Sequence, residues 1–257
     1  MAVIVLNHGW LWLVVVGVVF VATAAAVGRL VGLFPGRPVV WAAARAVVQL
    51  AVVSTIVAAV LASLPLSAAF LLVMVAVATL TSARRAKVGW AGAWLALAIV
   101  GGALPALALL LVTGVVPLAG VAVVPMGGIL VGGAMTATTL AVRRALDALV
   151  QRYGEFEAAL ALGFPERDAA REIVRRPAVD ALLPALDQTR TVGLVTLPGA
   201  FVGMLLAGAP AWQAGAVQLI VLLALLAVES VAIAVVTELV AHGFVRRASQ
   251  VGEVRLT

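Results

Sequence analysis

Residues 88–142 read VGWAGAWLALAIVGGALPALALLLVTGVVPLAGVAVVPMGGILVGGAMTATTLAV, and no side chain among them is charged. An α-helix rises about 1.5 Å per residue, so about 20 apolar residues cross the roughly 30 Å of hydrocarbon in a bilayer. The run is long enough for two membrane-spanning helices, with a turn between Thr113 and Pro117. It therefore predicts an all-α membrane protein.

The rest of the chain has the same composition. Of its 257 residues, 65% are hydrophobic and 11% are charged, against roughly 45 to 50% and 25% in an ordinary soluble domain. The mean hydropathy is +1.22 over the whole length, which excludes a soluble enzyme carrying a single anchor. The chain has no cysteine, so disulfides, thiolate zinc sites and iron–sulfur ligation are excluded.

Working outward from the quoted run, we predict a polytopic protein with about seven transmembrane helices. The spans lie at about 10–28, 39–61, 66–82, 89–113 and 118–142, with two more in the uncharged run 191–228 and its continuation to 242. The two are separated at residues 207–210. In the fifth span, Gly127-Gly128 and Gly132-Gly133 should let neighbouring helices approach closely. We expect one membrane domain over residues 1–257, including a long helical cytoplasmic loop at 143–190.

The basic residues predict the orientation of the spans. Apart from Arg45, every Arg and Lys lies in the loops 29–38, 83–88 and 143–190 or in the tail after 242. Cytoplasmic loops carry the excess of positive charge. We therefore expect a plasma (inner) membrane protein with its N-terminus outside and its C-terminus in the cytoplasm. The formal charge of +6 then reflects topology, and we expect no nucleic-acid partner.

The cytoplasmic loop contains a short helical motif. Glu157, Ala158 and Ala159 are followed by Gly163 and then by a second helical segment. One interpretation is an amphipathic hairpin that lies on the membrane surface. The other is the EAA motif of ABC-importer-type permeases, which this run resembles, although the Leu-Pro that completes it is displaced to Leu183-Pro184. In that family the motif is a coupling helix that docks on a separate ATPase subunit, and the glycine ends the helix.

Further motifs extend over most of the chain. They are Ala44-Arg45-Ala46-Val47-Val48-Gln49-Leu50, Val124-Pro125-Met126-Gly127-Gly128, Gly132-Gly133-Ala134-Met135 and much of 161–208. Together they resemble the iron-export ABC permease family, the FetB-like proteins, whose plant relatives are linked to aluminium tolerance. The resemblance implies a permease subunit that exports a metal ion. It also implies that a separate subunit hydrolyses ATP.

No phosphate-binding glycine loop ending in Lys-Ser or Lys-Thr is present, because Lys87 is the only lysine and its context differs. We therefore do not expect an enzyme or a cofactor in this chain. ATP and Mg²⁺ would be bound by the partner ATPase. Two copies of a seven-span chain would form one pathway, so a homodimer is the expected assembly.

Polar residues at membrane depth are the candidates for a translocation path. Arg45 and Gln49 lie one helical turn apart in the second span, and Gln218 lies on the same side of the last span as Glu229. A buried charge is costly unless paired, so Glu229 is the obvious partner for Arg45. The pair could line a path or only stabilise helix packing. The sequence shows no cluster of carboxylate or imidazole side chains at membrane depth that would indicate which metal binds, so metal ligands stay unassigned.

Two other functions fit the same residues. A secondary transporter would use Arg45 and Glu229 as a proton relay, with no ATPase partner. A non-transporting membrane scaffold would use the loop to recruit a soluble protein. The neutral loop, with eight basic and eight acidic residues, argues against the secondary transporter, and a scaffold would show binding without flux.

Overall fold

The computed structural model describes residues 9–247, and these form an all-α protein. The helices are α1 (Gly9–Leu30), α2 (Arg37–Ala62), α3 (Leu64–Ala86), α4 (Leu95–Val112), α5 (Gly120–Gln151), α6 (Tyr153–Ala161), α7 (Glu166–Val179), α8 (Leu183–Thr191), α9 (Gly199–Leu206) and α10 (Ala211–Ala241). Short 3₁₀ turns precede α4 and α8. The predicted fold class is confirmed.

Six helical segments of the described chain are long and apolar enough to cross a membrane. They are α1, α2, α3, α4 with the 3₁₀ turn before it, α5 and α10. The polytopic membrane architecture is thereby confirmed, and the uncharged run 88–142 forms two of these segments. The segments α6, α7 and α8 make up the long polar loop, which is helical as predicted.

The prediction of a seventh continuous span was wrong for the segment between α8 and α10. Val192 and Thr196 form a β-bridge around Gly193, which has a φ of +80°. Pro198 then precedes α9, which has only eight residues and rises about 12 Å. Proline cannot continue the hydrogen-bond ladder of a preceding helix, and a glycine at positive φ ends regular structure. The uncharged run is therefore interrupted here.

The interrupted segment nevertheless traverses the bundle, because α5 and α10 run parallel. Gly133 lies beside Glu229, and further along both helices Asp147 Oδ1 pairs with Arg247 Nη1 at 2.7 Å. The chain leaves α5 at one end and must enter α10 at the other. Residues 192–210 make that return, so this crossing exists without a continuous helix.

Among α3, α5 and α10, the basic residues collect at the same end. The helix α3 is also parallel to α5, since Thr139 Oγ1 donates a hydrogen bond to Ser82 Oγ at 2.9 Å and Gly128 lies against Met74. The helices α3, α5 and α10 therefore finish together. We call this the basic end, because Arg84, Arg85 and Arg247 lie there.

Contacts divide the chain into two compact units. The first extends to Val60, and in it Gly36 packs against Ala25 at the turn between α1 and α2. The second begins at Leu61 and contains α3, α4, α5 and α10 together with the helices of the polar loop. The expectation of one membrane domain over residues 1–257 stays a prediction.

Small residues on α5 place the core of the second unit. Ala134, Ala137, Ala141 and Ala145 are fully buried and recur every three or four residues, which forms one stripe along the helix. Such residues let helices pack closely. On α4, a Cβ at Gly102 would be 2.6 Å from the carbonyl oxygen of Val228. The backbones of α4 and α10 therefore approach closely at this glycine.

Candidate functional site

The polar loop begins with a helical hairpin whose turn is made by a glycine. Gly163 has a φ of +86°, a conformation that side chains disfavour. Its N–H donates to Leu160 O at 2.9 Å, and Phe164 N–H donates to Ala159 O at 3.1 Å. These bonds satisfy the last carbonyl groups of α6. The expected helix that stops at Gly163, followed by a second helix, is therefore confirmed.

The helix α6 contributes no buried side chain. Glu157 and Ala158 are exposed, and Ala159 is half-buried against the rest of the hairpin. The Glu157 carboxylate has no ion pair among the residues described. Beyond the helix, Leu162 is 79% exposed and Phe164 is 55% exposed. The described part of the chain therefore leaves this side of the hairpin uncovered.

The helix α7, in contrast, is firmly packed. Two adjacent pairs, Ala169-Ala170 and Ile173-Val174, are buried one helical turn apart, and Ala178 is buried one turn further on, which places all five residues on one face. The fully buried Val174 and Ala178 belong to the same core cluster as residues of α5 and α10. A displacement of this helix must therefore move the helices that carry the membrane spans.

Ion pairs connect α7 to α10. Glu238 of α10 accepts from Arg167 Nη2 at 2.8 Å through Oε2, and Arg171 Nε lies 2.9 Å from its Oε1. The hydrogen bond to Glu238 holds the pKa of the Arg167 guanidinium above its ordinary value. His242 Nδ1 lies farther away, at 3.7 Å. We call Glu238, Arg167 and Arg171 the α7–α10 joint.

Sequence reasoning missed both arginines of this joint. The joint brings together residues 71 positions apart, and no local spacing predicts such a contact. The available signal was the strong amphipathicity of α7, which predicts a packed helix with an arginine-rich outer face.

Other acids and bases of the loop also pair, which explains its balanced charge. Arg152 Nε donates to Glu155 Oε1 at 2.8 Å, and this bond lowers the pKa of the Glu155 carboxyl. Further pairs join the loop to α5 and to the chain after α10; they are Arg144 with Asp180 at 3.8 Å and Arg246 with Glu166 at 3.6 Å. Most of these groups are exposed, so each pair adds little stability on its own.

The second group of candidate residues lies in the membrane-spanning part of α10. Gln218 and Glu229 are only 4% and 7% exposed, and their separation of about three turns puts them on one face, as predicted. Gln218 Oε1 is buried and has no hydrogen-bond partner in the part of the chain that the structure describes. Among the described residues of its own unit, the Glu229 carboxylate has neither a hydrogen bond nor an ion pair. Two uncompensated polar groups therefore share one buried face.

The other two candidates lie in the first unit. Arg45 and Gln49 are one turn apart on α2, and both side chains are exposed. The pairing of Arg45 with Glu229 stays a prediction. Over residues 9–247, no group of three or more His, Asp or Glu side chains is arranged to hold a metal ion, so metal ligands stay unassigned.

Comparison with known proteins identifies relatives. The family model described as "Uncharacterised protein family (UPF0014)" matches residues 11–245. The chain is 35% identical over 187 residues to UPF0014 membrane protein STAR2 of Oryza sativa subsp. japonica, an alignment that covers 71% of this chain and 65% of the relative. It is 38% identical over 152 residues to Protein ALUMINUM SENSITIVE 3 of Arabidopsis thaliana, covering 59% and 56%.

A bacterial relative aligns over more of its own length. The chain is 27% identical over 197 residues to the Probable iron export permease protein FetB of Escherichia coli (strain K12), which covers 76% of each chain. The chain spans less than two thirds of the length of each plant relative. No solved structure gives a significant match.

Proposed function

The chain belongs to the UPF0014 family, and from that membership we propose that it is the permease subunit of an ABC transporter that exports a metal ion, iron in the first instance. The name of its bacterial relative, an iron export permease, supports the cargo and the direction. The observation that carries the mechanism is the exposed helix α6, which ends at Gly163 and continues into the packed helix α7.

The hairpin is suited to transmit force. An ATPase subunit that binds ATP and Mg²⁺ would dock on the exposed Glu157 and Ala158 of α6 and on the half-buried Ala159 beside them. Its movement would pass through α7 to the α7–α10 joint. Along α10, Glu238 is nine residues from Glu229, or about 13 Å. A shift at the basic end would therefore reach the buried carboxylate through one rigid helix.

The cargo path in this proposal runs beside Arg45, Gln49, Gln218 and Glu229. Uncompensated polar groups inside a membrane are costly and mark ion or substrate pathways. A second copy of the chain would complete the path, which makes the working unit a homodimer with two ATPase subunits. The protein would lie in the plasma (inner) membrane with its basic end in the cytoplasm, as the positive-inside rule predicts.

Co-purification with the ATPase tests the proposal. The full chain and a candidate stand-alone ATPase are expressed together, and inside-out vesicles are assayed for ATP-dependent uptake of ferrous iron. Glu157→Arg should release the ATPase and abolish uptake, because it reverses an exposed charge at the docking helix. Asp187→Arg is the matched control, since it reverses an exposed acid on α8 and should leave both unchanged.

The same vesicles distinguish the rival function. A secondary transporter would show uptake that follows the proton gradient and survives without any ATPase. The buried Glu229 is the feature that such a relay would use. Uptake of that kind, with no ATPase bound to wild-type protein, would overturn the ABC proposal.

A further inference from the structure

A groove of about 330 Å³ opens on the surface of the second unit, between α7 and α10. Its walls differ in chemistry from one end to the other. Arg171 and Arg175 lie at one end, with side chains 51% and 57% exposed. Leu182, Ile233 and Ala234 line the remainder. The groove is therefore amphipathic along its length.

The groove lies where the hydrocarbon of a bilayer meets its headgroups. Its lining on α10 extends from Ser230 to Glu238, which is about 12 Å along the helix axis. Gly133 is level with Glu229, and Asp147 is level with Arg247. Glu238 is therefore level with the part of α5 just before Arg143, the first charged residue of that helix. The arginines are at the polar boundary and the apolar wall is below it.

The arginine end carries a net positive charge. Arg171 directs its Nε at Glu238, and Arg167 meets the same carboxylate. Among residues 9–247, the one ion pair of Arg175 is with Glu172, at 3.7 Å and exposed, and such a pair competes weakly with another anion. Three guanidinium groups thus face two carboxylates. Arginine is well suited to phosphate because its planar donors match two phosphate oxygens at once.

We propose that this groove binds an anionic phospholipid of the leaflet at the basic end. The headgroup phosphate lies on Arg175 and on the free guanidinium nitrogens of Arg171, and an acyl chain lies along Ile233 and Ala234. Basic pockets between helices at the membrane boundary have the chemistry that anionic headgroups require. A lipid seated there touches both sides of the α7–α10 joint, so the composition of the leaflet would act on that joint.

Lipid retention by the purified full chain tests this site. The protein in mild detergent is equilibrated with equal amounts of phosphatidylglycerol and phosphatidylcholine, and bound lipid is counted by native mass spectrometry. We expect the wild-type protein to retain phosphatidylglycerol in preference to phosphatidylcholine. Arg175→Ala should lower that retention about fivefold, the effect of one basic residue near the surface. Arg176→Ala is the control, because Arg176 is the next residue, is also exposed and does not line the groove.

A second pair of variants tests the apolar end. Ala234→Trp fills the groove and should lower retention of phosphatidylglycerol by a similar factor. Ala227→Trp is its control, since Ala227 is exposed on α10 two turns earlier and does not line the groove. Both tryptophan variants keep every charge, so they separate the acyl contact from surface electrostatics.

Three results would overturn the proposal. Equal loss of lipid in Arg175→Ala and Arg176→Ala would mean a diffuse attraction to positive charge. Displacement of the lipid by millimolar inorganic phosphate would mean that the apolar wall contributes nothing. A change in the dimer fraction of Ala234→Trp, with lipid retention unchanged, would assign the groove to a second copy of the chain.

Discussion

The Glu229 carboxylate of α10 lies against the backbone of Gly133 on α5, and a Cβ at residue 133 would be 3.0 Å from Glu229 Oε1. A side chain at residue 133 would therefore press on the carboxylate and on the end of the Leu225 side chain. The carboxylate is buried, and within its unit it has no described partner. An ionisable group held in this way inside a membrane protein is the first residue to test for a role in transport.

Substitution of two adjacent glycines should have opposite effects on stability. In Gly133→Ala, the new Cβ would be 2.5 Å from Leu225 Cδ2 as well as close to Glu229, and we expect a loss of about 1 to 3 kcal/mol from overpacking. Gly132 has no atom within 4 Å of a built Cβ, so Gly132→Ala should gain about 0.5 to 1 kcal/mol of helix stability. Thermal unfolding in detergent measures both. Equal shifts would contradict the close contact at Gly133.

Glu229→Gln should separate transport from folding. The amide has nearly the shape of the carboxyl but carries no charge, so a buried site without a partner should accept it with no loss of thermal stability. We expect metal flux to fall about tenfold or more, equivalent to at least about 1.4 kcal/mol of lost interaction. Thr136→Val is the control, because that hydroxyl is exposed and, among the described residues, bonds Gly132 O of its own helix alone. Unchanged flux in Glu229→Gln would remove this residue from the path.

Glu238→Gln should uncouple the hairpin from α10 while leaving the ATPase bound. Both ion pairs of the joint are partly exposed, so the loss of stability should be about 1 kcal/mol or less. ATP hydrolysis should continue while metal flux falls. Asp187→Asn removes an exposed pair with Arg190 at 3.9 Å and should change neither activity. Release of the ATPase from the Glu238 variant would instead place this residue in the docking surface.

Single cysteines can test the orientation, because the chain has none of its own. Leu118, before α5, is 67% exposed, and Leu162, after α6, is 79% exposed. In intact cells, a membrane-impermeant maleimide should label Leu118→Cys and should label Leu162→Cys only after the membrane is opened. The reverse pattern would place the basic end outside and would contradict the proposed ATPase contact.

Much of the fold could be predicted from local features. The length of each uncharged run sets how many times it can cross a bilayer. The spans predicted in this way were confirmed as helices for six segments. The helix end at Gly163 was also predictable, since it depends on the backbone freedom of one residue. The break at residues 192–198 was not foreseen, because an apolar composition is equally compatible with a helix and with an interrupted crossing.

The candidate site was only partly predictable. The shared buried face of Gln218 and Glu229 follows from helical spacing within α10. The role of Gly133 and the partners of Glu238 involve other helices, and their contacts depend on how α5, α7 and α10 pack. The groove between α7 and α10 could not be predicted for the same reason, because its two walls come from separate parts of the chain.

The sequence by itself determined that this is a helical membrane protein with a polar loop, because transfer into lipid depends on the composition of each segment taken alone. Only the tertiary structure decided that α5 and α10 run parallel, that Gly133 makes room for Glu229, and that Arg167 meets Glu238 across 71 positions. Such contacts depend on side-chain packing between distant segments, which the spacing of residues along one helix does not encode.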